Sequence, residues 1–140
     1  SLCLWSHDHR GSPDNPGLVF GLDRGGCCRG VAFQIAACDV PAVFQALWRR
    51  EMVTGAYSPR WLTCHTEAAP VRGLVFLLNR ACQEYAAGIS DDRLLASVRN
   101  AVGHSGPCLD YVVETERALR AHGIDDWRLG DLVRRLGQAF

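Results

Sequence analysis

Two glutamates in this chain fall where a carboxylate is costly. Val40, Val43, Phe44 and Leu47 recur at helical spacing, and at about 100° per residue Glu51 projects among them. An unpaired carboxylate on an apolar face either loses its hydration or stays protonated, so one placed there needs a reason. Glu116 projects in the same way between Leu109, Val112 and Val113, but Arg120 stands four residues on and offers an ion pair. Arg49 and Arg50 project off the Glu51 stripe, which makes Glu51 the stronger candidate. The structural alternative is a helix end that already meets water, or a bond to backbone or arginine.

His9 and Arg10 lie in a stiff loop, where they suit either an anion or loop-fixing hydrogen bonds. Of the seven cysteines, Cys27 and Cys28 are adjacent, and no Cys-x-x-Cys spacing occurs. An odd set without that spacing reads as reduced thiols and not a disulfide framework. His7 and His9 share one side of an extended segment and could join Cys27 and Cys28 on zinc. Adjacent cysteines rarely serve one tetrahedral ion, so no metal is expected. There is no Gly-x-Ser-x-Gly, Walker loop or His-Glu-x-x-His, and Gly25-Gly26 leads into a strand pattern instead of a helix.

The elements that must carry these residues follow from the pattern. Leu2 to Ser6 reads as a strand, followed by a loop over residues 7–17 with two prolines and two glycines. Leu18–Leu22 is a second strand, Asp23–Gly26 a turn, and Cys28–Ile35 a third strand with Val31, Phe33 and Ile35 alternating. Asp39 reads as an N-cap and Pro41 as a first-turn residue of a helix that runs to about Met52, with Gly55 stopping it. Strands are predicted over 57–66 and 72–79, with a turn at 66–71. Ser90 caps a helix over 91–102 with Leu94, Leu95, Val98 and Val102 as its apolar stripe. Two more helices follow, over 107–122 and from Asp126 with Leu129, Leu132, Val133 and Leu136. Strands first and helices last predict an α+β fold, with a sheet covered by helices and a helical C-terminal third.

At 140 residues the chain is predicted to form a single domain over 1–140, long enough to bury a core. Fifteen acidic residues balance fifteen basic ones, and no basic stripe interleaves with aromatics, so nucleic acid is not an expected partner. Apolar runs such as 73–78 are too short to span a bilayer, and no membrane partner is expected. A cytoplasmic location is expected, and nothing in the sequence specifies an oligomeric state.

The motifs Trp5-Ser6-x-Asp8-His9-Arg10-Gly11-Ser12-Pro13 and Asn15-Pro16-Gly17-Leu18-Val19 resemble the second strand and loop of the ChaC family. Cys28-Arg29-Gly30-Val31-Ala32-Phe33 and Trp48-Arg49-Arg50-Glu51-Met52, with Gly55 and Tyr57, continue the likeness. Gly103-His104-Ser105-Gly106-Pro107-Cys108-Leu109-Asp110-Tyr111-Val112 and Glu114-Thr115 complete it across essentially the whole chain. The resemblance implies a γ-glutamylcyclotransferase that splits glutathione into 5-oxoproline and cysteinylglycine without metal or cofactor. It implies a small mixed β-barrel or sheet flanked by helices. The family's catalytic glutamate carries over to Glu51 and its late-helix tyrosine to Tyr111, a substrate contact. Tyr57, Arg10 and His9 match the motifs and are further expected substrate contacts.

The chemistry so implied needs little machinery. The substrate α-amine attacks its own γ-carbonyl, closes a lactam and expels an amine. A carboxylate in a partly apolar pocket removes the ammonium proton and returns it to the leaving nitrogen. Intramolecular geometry supplies much of the rest. The family begins with a Tyr-Gly-Ser-Leu strand that cradles the γ-glutamyl group, and no Tyr-Gly-Ser occurs here. The domain is therefore expected to be N-terminally incomplete. The alternatives are a cyclotransferase for another γ-glutamyl amine or peptide, and a non-catalytic γ-glutamyl-binding module.

Overall fold

A computed structural model describes residues 2–137. They fall into two units, residues 2–21 with 86–137, and Leu22–Tyr85. The architecture is mixed α+β, as expected, with four helices among the described residues. Among the described residues the strands form three two-stranded antiparallel ladders and no closed barrel.

In the first unit β1 (Leu2–Ser6) pairs with β2 (Gly17–Phe20), and the register shifts between Leu2 and Leu4. The loop between them returns through Gly17, where an added Cβ would stand 2.0 Å from the Arg10 carbonyl oxygen, so only glycine fits. Against this hairpin lie α2 (Asp91–Asn100), α3 (Cys108–Ala121) and α4 (Trp127–Gly137). Ser90 caps α2 as predicted, its hydroxyl accepting from the Arg93 N–H. Asp126 caps α4 through the N–H groups of Arg128 and Leu129. Gly123, at φ +68°, ends α3.

The predicted end of α2 is corrected. The helix stops at Asn100, and β5 (Val102–Gly103) pairs with β6 (Gly106–Pro107) in a short hairpin. Val102 is exposed there, and Ala101 takes the buried place the stripe assigned to it. The core joins Leu18, Val98, Ala101, Cys108, Val112, Leu129 and Leu136, each of the larger side chains contributing about 1.5–3 kcal/mol by burial. Cys108 is its hinge point, with a thiol that donates to the Leu18 carbonyl at 3.2 Å and accepts from the Leu18 N–H at 3.3 Å.

In the second unit α1 (Val40–Glu51) precedes a long ladder of β3 (Tyr57–His65) and β4 (Pro70–Leu78). Gly55, at φ +70°, stops the helix as predicted, although Asp39 makes no side-chain cap bond. The expected strand over Cys28–Ile35 is corrected to exposed, irregular chain. Alternation makes a strand only where a neighbour accepts the backbone hydrogen bonds, and among the described residues no strand pairs with this segment. The apolar stripe of α1 is likewise not a buried face, since none of the helix residues is buried and Phe44 stacks on Trp48 at 5.4 Å.

Candidate active site

Glu51 is the last residue of α1. Its side chain is only 17% exposed, although the apolar stripe it projects into is not a buried face. The expectation that it lacks a partner is corrected. Arg50 donates from Nε at 2.7 Å and approaches from Nη2 at 2.6 Å, both to Oε1. A helical projection describes where Cβ points, and a guanidinium on four rotatable bonds reaches back past it. Glu116 pairs with Arg120 at 2.5 Å, as i, i+4 spacing predicts, and is 18% exposed. Burial and charge partner therefore do not separate the two glutamates.

Tyr57 opens β3 opposite Leu78 and is half-buried. The bend before it is fixed by Asn79, whose Nδ2 donates to the Gly55 carbonyl at 3.0 Å and whose N–H donates to Ala56 at 2.8 Å. The segment carrying Glu51 is thus tied to the end of β4.

In the first unit the structure brings Arg10 and Tyr111 together. The Arg10 guanidinium lies 5.2 Å from the centre of the Tyr111 ring, and its Nη1 donates to the Ser105 carbonyl at 2.6 Å. The Arg10 N–H donates to Ser6 Oγ at 3.0 Å. These are the loop-fixing bonds of the structural alternative. The Tyr111 hydroxyl accepts from the Phe20 N–H at 3.1 Å, and burial pushes its pKa up. Arg10 and Tyr111 also line an open pocket of about 360 Å³ with Glu114, Thr115 and His122. Glu114, Thr115 and His122 were not singled out as site residues. The available signal was their recurrence with Tyr111 on one helical face.

His9 lies beside this corner, with Nδ1 3.2 Å from Ser105 Oγ and its ring 4.5 Å from that of His104. The sequence grouped His9 with His7, Cys27 and Cys28. Among the described residues, the set of three metal-capable groups is instead Asp8, His9 and His104. No helix among the described residues is long and apolar enough to cross a membrane.

A family model described as ChaC-like protein matches residues 1–139. The chain is 28% identical over 134 residues to the glutathione-specific gamma-glutamylcyclotransferase of Escherichia coli (strain K12), covering 95% of this chain and 58% of that protein. It is 29% identical over 143 residues to glutathione-specific gamma-glutamylcyclotransferase 1 of Homo sapiens, covering 96% and 64%. The chain thus spans about three fifths of the length of these curated relatives. Among solved structures it resembles the selenomethionine-labelled gamma-glutamyl cyclotransferase specific to glutathione from yeast. The TM-score is 0.78 at 15% identity, over 99% of this chain and 82% of that one, which is a likeness of fold.

Proposed function

Because the chain belongs to the ChaC-like family, we propose that it carries out glutathione-specific γ-glutamyl cyclotransfer with Glu51 as the proton shuttle. What supports Glu51 over the equally covered and paired Glu116 is its place in the Arg50-Glu51-Met52 motif of that family, with its Oε1 bonded to an arginine that is itself 73% exposed. An exposed partner can swing into water at little cost. In the forward step a carboxylate oxygen of Glu51 takes a proton from the substrate α-ammonium. The freed amine attacks the γ-carbonyl carbon, the carbonyl electrons move to oxygen, and the new C–N bond closes the lactam. Collapse of the tetrahedral centre breaks the original γ-C–N bond as Glu51 returns its proton to the departing nitrogen, and the second proton on the new ring nitrogen passes to the released amine, which departs as an ammonium. Atoms balance as one glutathione to 5-oxoproline and cysteinylglycine, with Glu51 restored.

Tyr111, Arg10, His9 and Tyr57 keep the substrate-contact role that the resemblance assigns, each open to its own substitution. We place the protein in the cytoplasm, in line with the free thiols on Cys27, Cys28, Cys38, Cys64, Cys82 and Cys108. The test is 5-oxoproline release from glutathione by the protein and its Glu51→Gln variant. The variant should fold normally and lose about 100-fold or more of kcat. Undiminished turnover in Glu51→Gln would remove Glu51 from the mechanism. Turnover of other γ-glutamyl amines in preference to glutathione would move the substrate assignment, and glutathione binding without product would make the domain a binding module.

A further inference from the structure

We propose that Asp8, His9 and His104 form a surface site for a divalent transition-metal ion of the Zn²⁺ type. It shares His9 with the proposed substrate contacts, and no step of the cyclotransferase reading is routed through a metal. One ligand atom from each of the three residues lies within 4.8 Å of the other two. They come from two loops almost a hundred residues apart, so chain proximity does not account for the grouping. The Asp8 carboxylate already sits 3.0 Å from His104 Nδ1, and the two imidazoles lie with ring centres 4.5 Å apart.

The loops that carry them are locked together by backbone. The His104 N–H donates to the Asp8 carbonyl and the Ser105 N–H to the His9 carbonyl, both at 3.0 Å. Gly103 makes that approach possible, since an added Cβ there would stand 2.3 Å from the Asp8 carbonyl oxygen. The Cα positions of the three donors are therefore set before any ion arrives. Ligands around zinc lie at about 2.0–2.2 Å from the metal, closer together than 4.8 Å, so the side chains must turn inward by rotation about their χ bonds. All three are exposed and have room to do so. Two imidazoles and one carboxylate suit Zn²⁺, Ni²⁺ or Cu²⁺ and do not suit Mg²⁺ or Ca²⁺, which prefer oxygen alone. Three protein ligands leave a position for water.

The neighbouring cation is Arg10, and its Nη1 is already committed to the Ser105 and Pro107 carbonyls. A bound ion would clip the β1–β2 loop to the β5–β6 hairpin and stabilise the folded protein by mass action.

The test is calorimetric titration of ZnCl2 into the reduced protein, with the Co²⁺ electronic spectrum as a second readout. The expected result is one equivalent bound, a Co²⁺ spectrum without thiolate charge transfer, and a thermal midpoint that rises with Zn²⁺. His104→Ala should keep its circular dichroism and metal-free midpoint, because the ring is exposed, while losing about tenfold or more of the affinity. Asp8→Asn should weaken binding in the same direction. Undiminished binding in His104→Ala, a thiolate band in the Co²⁺ spectrum, or no binding at millimolar Zn²⁺ would each overturn the site.

Discussion

The two units hold their candidate residues by different means. In the first, Leu18, Val98, Cys108 and Val112 are fully buried, and the loop bearing Arg10 is bonded to Ser6, Ser105 and Pro107. In the second, Ala56 and Leu78 are the buried apolar residues, while Glu51 belongs to a helix that buries none of its own. What holds the second unit is backbone pairing along β3 and β4, the Asn79 bonds at the bend, and Arg80 on Asp23 at 2.8 Å. Packing fixes a side chain in one rotamer, whereas a ladder fixes backbone and leaves side chains to choose. The proposed shuttle thus sits on the less constrained of the two, and segments of low local stability are where moving parts are commonly found.

The comparison breaks most sharply by mutation. Leu136→Ala, in the first unit, should cost about 2–5 kcal/mol in denaturant unfolding. Phe33→Ser, at an 85% exposed position of the second, should stay within about 0.5 kcal/mol. Equal costs would mean that the packed core of the first unit does not hold its residues more tightly than the open chain of the second. Tyr111→Phe comes next. It leaves the Phe20 N–H without its acceptor and should cost about 1–3 kcal/mol, measured in the same way.

The pH dependences sharpen the contrast with smaller effects. Burial pushes both the Cys108 thiol and the Tyr111 phenol up, so the folded state holds protons that the unfolded state releases. Their contribution is whole below the ordinary thiol range and is lost as pH rises, from about 8.5 for Cys108 and about 10 for Tyr111, up to the folded values. Alkaline unfolding of a Cys108→Ala, Tyr111→Phe double variant should be flatter against pH than that of the parent. On the acid side the Arg80 guanidinium holds Asp23 below the usual carboxylate range. That contribution is present above about 3.9 and fades as pH falls through the folded value. It is the smallest effect, and Asp23→Asn should remove it from an acid titration of stability.

How much was legible follows the range of each interaction. Four helices, the β3–β4 hairpin, the glycine stops and the Ser90 cap all appear close to where their patterns put them, because periodicity and capping act within a turn or two. The Cys28–Ile35 strand failed for the same reason in reverse, since a strand needs a partner that no local pattern guarantees. The Arg50–Glu51 pair is legible only as the structural alternative of a bond to arginine, because projection tracks Cβ and not the reach of a guanidinium.

By itself the sequence determined the α+β order, the family motifs and the Glu116–Arg120 pair. Tertiary structure alone decided that Cys108 bonds Leu18, that Arg10 lies against Tyr111, and that Asp8, His9 and His104 share one corner. Those partners come from opposite ends of the chain. Only the packed core and the glycine-permitted approach of two loops bring them within reach, and neither leaves a periodic trace in the residues.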